Sequence, residues 1–90
     1  MRAVSREQAI KALTELAAEQ VGVDPATIGL DTCFHADLGF DSLDDVEYAM
    51  TVEEAFDIQV SDEQAQQVRC VRDALALLAP ALVEDRAATA

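Results

Sequence analysis

Between Lys11 and Arg69 the chain holds no basic residue, although 14 carboxylates, from Glu15 to Glu63, fall in that interval. Soluble helices ordinarily mix the two signs and gain from oppositely charged pairs four residues apart. The whole middle of this chain forgoes them. With 18 acidic and 6 basic side chains the formal net charge is −12. That argues against nucleic acid and anionic membrane as partners and for a basic protein surface. Glycine (3) and proline (2) are scarce, tryptophan is absent, and Phe34, Phe40, Tyr48 and Phe56 are the only aromatic residues. So little turn chemistry excludes a turn-rich β fold and favours helices. No stretch approaches 18 consecutive apolar residues, and no N-terminal segment has the long apolar run of a secretory signal. The two cysteines, Cys33 and Cys70, lack CxxC spacing. They read as free thiols in a reducing, cytoplasmic setting. Cys33 and the sole histidine, His35, stand two residues apart on a loop, which does not make a nucleophile–base pair.

Ninety residues make one small domain, with residues 1–80 as the folded unit and 81–90 as a disordered tail. A chain this short buries about 60% of the surface its unfolded form exposes, enough for a single core. Ser5-Arg6-Glu7-Gln8 fits a capping box, and Ile10, Leu13, Leu16 and Ala17 follow at helical spacing, which predicts a first helix over about 5–20. Gly22, Asp24-Pro25 and Gly29 end it and open a long connection. Val23, Ile28, Leu30, Phe34 and Leu38 are too many apolar groups for a free linker, so this loop should pack on the core with a short turn. A second helix is predicted over about 42–56, capped by Asp41 or Ser42. Its residues Leu43, Val46, Ala49, Met50, Val52 and Phe56 span about half the circumference and should face inward. Asp44, Glu47, Thr51 and Glu54 then fall on the opposite face with Tyr48 at its edge, and Glu53 is an exception inside the apolar arc. A short third helix follows over about 62–67, with Ala65 and Val68 inward. A fourth runs over about 71–79, with Val71, Ala74, Leu75 and Leu78 inward and Pro80 at its end. The fold class is all-α, a small four-helix bundle with a long first loop.

Chemistry concentrates at Asp37-Leu38-Gly39-Phe40-Asp41-Ser42-Leu43-Asp44-Asp45-Val46-Glu47. Ser42 stands where a loop turns into a helix, among carboxylates and without a local base. That makes it a poor nucleophile and a suitable point of attachment. Glu53 and Glu54 in the last turn oppose the helix dipole, and Glu53 with Asp57, like Asp44 with Glu47, adds a like-charge neighbour. Stability alone would place cations there, so the acidic face points to docking on basic surfaces. Asp37 to Asp45 lacks the alternating ligands, mid-loop glycine and closing glutamate of a calcium-binding loop, and no metal site is expected.

Leu38-Gly39-Phe40-Asp41-Ser42-Leu43, followed by Asp44-Asp45-Val46-Glu47 and later by Val52-Glu53-Glu54-Ala55-Phe56-Asp57-Ile58-Gln59-Val60, resembles the acyl carrier protein family over about residues 4–79. The resemblance implies a four-helix bundle with a short third helix. It implies a 4′-phosphopantetheine arm, transferred by a phosphopantetheinyl transferase from coenzyme A onto Ser42 as a phosphodiester. The arm's thiol holds acyl groups as thioesters, and the carrier itself is not an enzyme. Asp41 is expected to face basic or metal-binding groups of the transferase. Leu43, Asp44, Glu47, Tyr48, Glu53 and Glu54 form the expected partner face. The synthase enzymes are a ketosynthase, acyltransferase, ligase or thioesterase, met through basic patches by a monomeric carrier. Acyl chains can fold back between the helices. Phe40 stands where fatty-acid carriers commonly have a smaller residue, and so resembles some polyketide carriers more. Met1 and the short flanks suggest a free-standing carrier. A peptidyl or aminoacyl carrier, or an acidic interaction module with unmodified Ser42, remain the alternatives.

Overall fold

A computed structural model describes residues 3–83. The elements run β1 (Val4–Ser5), α1 (Arg6–Val21), a 3-10 turn (Pro25–Thr27), α2 (Ser42–Phe56), α3 (Asp62–Gln67), α4 (Val71–Leu77), a second 3-10 turn (Ala79–Ala81) and β2 (Leu82–Val83). The helix starts are set by local chemistry. Ser5 caps α1 by accepting from the Gln8 N–H, and Gln8 returns a carbonyl to the Ser5 N–H. Ser61 and Gln64 make the same reciprocal pair at α3. Gly22 closes α1 in the left-handed region at φ 74°, where its N–H reaches the Ala18 carbonyl.

The core lies between α1, α2 and α4, with Leu13, Phe34, Val71 and Leu78 as its largest fully buried side chains. Burying one leucine or phenylalanine of this kind is worth about 1.5–3 kcal/mol relative to exposure. The connection from 22 to 41 contributes to this core, with Ile28, Phe34 and Phe40 buried and Leu30 and Leu38 packed against it. Val23 departs from expectation and is exposed, because it follows directly on the Gly22 cap, where the chain leaves the helix. Helix α4 ends at Leu77, two residues early. Pro80 is accommodated in the following 3-10 turn. Leu82–Val83 then pairs in parallel with Val4–Ser5, so ordered structure continues past residue 80, the expected end of the folded unit. Of the tail expected at 81–90, residues 84–90 lie outside the described residues.

The phase of α2 differs from the prediction in part: Val52 and Phe56 face inward as expected, but Tyr48 joins them in place of Leu43, Val46 and Met50. Tyr48, Val52 and Phe56 are its buried residues, whereas Leu43, Val46 and Met50 are 63%, 52% and 56% exposed. An apolar arc of half a turn leaves the inward side undetermined, and the aromatic residues decide it. The Tyr48 ring meets Phe34 at a centroid distance of 4.9 Å and Phe40 at 5.7 Å, edge-on. Its hydroxyl donates to the Leu13 carbonyl at 2.9 Å, so burial leaves no polar atom unpaired. Burial also pushes the Tyr48 phenol well above its usual range.

Candidate functional site

The turn into α2 is built by Phe34–Asp41. Gly39 takes φ 71°, a conformation that costs little without a Cβ. The Phe40 N–H returns to the Phe34 carbonyl at 2.9 Å and the Gly39 N–H to His35 at 3.2 Å. Phe40 is thereby buried against Phe34, with centroids 5.1 Å apart, which anchors the turn. Asp41, not Ser42, is the N-cap. Its carboxylate accepts from the Asp44 N–H at 2.9 Å while Asp44 accepts from the Asp41 N–H at 3.1 Å.

Because Asp41 does the capping, Ser42 is left exposed as the first residue of α2. Its hydroxyl makes no hydrogen bond among the described residues. The N–H groups of Ser42 and Leu43 belong to the unpaired first turn of the helix, at its positive end. An exposed hydroxyl beside such donors fits a phosphodiester root. Beside Ser42 opens a groove of about 320 Å³ between α2 and α3, walled by Val46, Met50, Asp62 and Gln66 among others.

The remaining residues of the expected partner face divide. Leu43, Glu47 and Glu54 are exposed. Asp44 and Glu47 are bridged by Gln20 of α1, whose Nε2 donates to Asp44 at 2.9 Å and Glu47 at 2.7 Å. This amide offsets the like-charge pair, and the Asp44 carboxyl is held below its usual range, first by the Asp41 N–H and then by Gln20. Glu53 is half-buried and accepts from the Val60 N–H at 2.7 Å. That bond explains a carboxylate inside the apolar arc: it ties the end of α2 to the chain leading into α3. Tyr48 belongs to the core at 5% exposure and offers no surface to a partner. Its aromatic bulk was the signal for burial, against its polar hydroxyl. Val46 and Met50 join the outward face instead, so apolar groups lie between acidic ones.

Two features escape a reading by helical spacing. His35 is a surface residue, and its Nε2 lies 2.7 Å from Asp45 Oδ2, linking the loop to the first turn of α2. Cys33 and Cys70 face one another in an antiparallel bridge. No group of three or more His, Cys, Asp or Glu among the described residues is placed to hold a metal. No helix among them is long and apolar enough to cross a membrane.

A chain that forms a small helical bundle and presents a bare serine at the head of an acidic helix has the architecture of a group carrier. The family model for the phosphopantetheine attachment site matches residues 11–78. The chain belongs to that family: it is a phosphopantetheine-carrying carrier protein, one of a class that carries its cargo on a covalently attached 4′-phosphopantetheine and does not itself catalyse. Such carriers meet a modifying transferase and the synthase enzymes they serve. The thiol at the end of the arm supplies the thioester chemistry. At the head of α2, Asp41 fixes the helix start, Phe40 anchors the turn, and Ser42 is left exposed.

Proposed function

We propose that Ser42 bears the phosphopantetheine and that the chain is a monomeric, cytoplasmic acyl carrier, which takes acyl intermediates as thioesters to fatty-acid or polyketide synthesis enzymes. The observation that carries this reading is the exposed, unbonded Ser42 hydroxyl beside an outward α2 face of Leu43, Val46 and Met50 flanked by Glu47 and Glu54. Apolar contacts amid negative charge suit a basic enzyme surface with an apolar centre. A phosphopantetheinyl transferase is the first such partner, with Asp41 toward its basic or metal-binding groups. A ketosynthase, acyltransferase, ligase or thioesterase follows. A peptidyl carrier has less need of so acidic a recognition helix.

Between the two acyl pathways, a polyketide-type cargo is the better fit. Phe34, Phe40 and Tyr48 fill the space under α2, and the interior cavity they line has about 20 Å³ of free volume, room for about one water. A long alkyl chain could enter only if the side chains lining it moved apart. A shorter or more polar chain can rest in the open groove beside Ser42.

The test pairs two loading reactions on the transferase-treated protein. One uses malonyl-coenzyme A with a malonyl acyltransferase, the other an amino acid, ATP and an adenylating enzyme. Malonylation alone, read by intact mass and weakened by added salt or by Glu47→Lys with Glu54→Lys, supports the acyl reading. Aminoacylation alone would establish the peptidyl carrier instead.

A further inference from the structure

We propose that Cys33 and Cys70 form a reversible intramolecular disulfide that clasps the loop leading to Ser42 onto the start of α4. The two residues face one another in an isolated antiparallel bridge. Its hydrogen bonds run from the Phe34 N–H to the Arg69 carbonyl at 2.9 Å and from the Val71 N–H to the Thr32 carbonyl at 3.3 Å. Both bonds join the flanking residues and neither joins the cysteines. Cys33 and Cys70 therefore occupy a non-hydrogen-bonded pair, where Cα atoms lie about 4.5 Å apart and the side chains approach most closely. A disulfide spans Cα separations of about 4.4–6.8 Å.

The approach is held from further along the chain. The Arg72 N–H donates to the Leu30 carbonyl at 2.8 Å, and its guanidinium Nε meets Asp31 at 3.1 Å. Both thiols are free and half-buried, within reach of a small oxidant. Cys33 Sγ now lies 3.9 Å from the Asp31 carbonyl oxygen, a weak contact that a rotation about χ1 gives up. Phe34, which follows Cys33, and Val68, two residues before Cys70, line the interior cavity, so the covalent link stiffens one of its walls.

The oxidant is a low-molecular-weight disulfide. One cysteine thiolate attacks it, forming a mixed disulfide and releasing one small thiolate. The second cysteine thiolate attacks the protein sulfur of that mixed disulfide, forming the Cys33–Cys70 bond and releasing the second small thiolate. The two protons lost by the cysteines end on the two small thiols, and the small disulfide is the species reduced.

The test equilibrates the full chain, with Ser42 unmodified so that no arm thiol takes part, in excess glutathione disulfide. Support requires a loss of two hydrogens by intact mass, protection of both cysteines from alkylation, and one cross-linked peptide joining residues 33 and 70. The melting temperature should rise by on the order of 10 °C and fall back with dithiothreitol. Cys33→Ser and Cys70→Ser should each abolish the rise, and the wild-type alkylation pattern decides the matter even if either variant folds poorly. Persistent glutathione adducts, disulfide-linked dimers or fully alkylatable thiols at equilibrium would each overturn the proposal. None of these outcomes depends on what Ser42 carries.

Discussion

Replacing Asp41 separates two roles that one carboxylate holds at the head of α2. Asp41→Ala removes the acceptor that the Asp44 N–H meets at 2.9 Å. The position is exposed, so water takes over part of that bond and the loss should stay near the usual cost of an N-cap, about 1 kcal/mol. For a domain of this size that is a fall in melting temperature of about 4–8 °C. Asp41→Asn keeps an acceptor oxygen of equal capping strength. It loses the charge–dipole contribution but also relieves a little of the repulsion in a chain of net charge −12. Its melting temperature should remain within about 3 °C of the parent. Both variants lack the carboxylate proposed to face the transferase, so both should be modified more slowly and to a similar degree. Thermal melts by circular dichroism and initial modification rates by intact mass read the two effects independently. An Asn variant as unstable as the Ala variant would refute the capping argument. Modification at the parent rate in the Asn variant would refute the recognition argument.

Tyr48→Phe should keep the aromatic cluster but remove the donor to the Leu13 carbonyl at 2.9 Å. It should cost about 1 kcal/mol, and a change within error in urea melts would mean that the buried bond contributes nothing. Stability should respond to pH at the acid end. The Asp44 and Asp73 carboxyls are held below the usual carboxylate range, chiefly by the backbone N–H groups of Asp41 and Arg69 respectively. A carboxyl with a depressed folded pKa contributes its stability above the unfolded pKa and loses it as pH falls through the folded value. Melting temperatures should therefore decline below about pH 4, and a flat or rising profile down to pH 3 would contradict this account.

The elements whose causes are local could be read from the sequence. Ser5 with Gln8 set the start of α1, Asp41 or Ser42 the start of α2, and Ser61-Asp62-Glu63 the start of α3, because a cap needs only its own next three residues. The family was legible from the stretch around Ser42, and its model matches residues 11–78. The inward side of α2 was legible only in part, because the apolar arc that held Val52 and Phe56 also held Leu43, Val46 and Met50 and left Tyr48 at the polar edge. The choice rests on Phe34 and Phe40, which reach Tyr48 only after the loop has folded. Gln20 is 24 residues from Asp44, and no spacing rule places an amide between two carboxylates on another helix. The pairing of Val4–Ser5 with Leu82–Val83 involves two residues on each side, too few for alternation to show. Glu53 looked misplaced because its partner, the Val60 N–H, is a backbone group that side-chain patterns do not reveal.

Whether Ser42 is the anchor can be decided by one mass spectrum. The full chain, incubated with coenzyme A, magnesium and a broad-specificity phosphopantetheinyl transferase, should gain a single phosphopantetheine, and fragmentation should place it on the peptide containing Ser42. The Ser42→Ala chain, folded by circular dichroism, should gain nothing. An unchanged mass for the parent, or an adduct that persists in the alanine variant, would contradict the assignment of this serine.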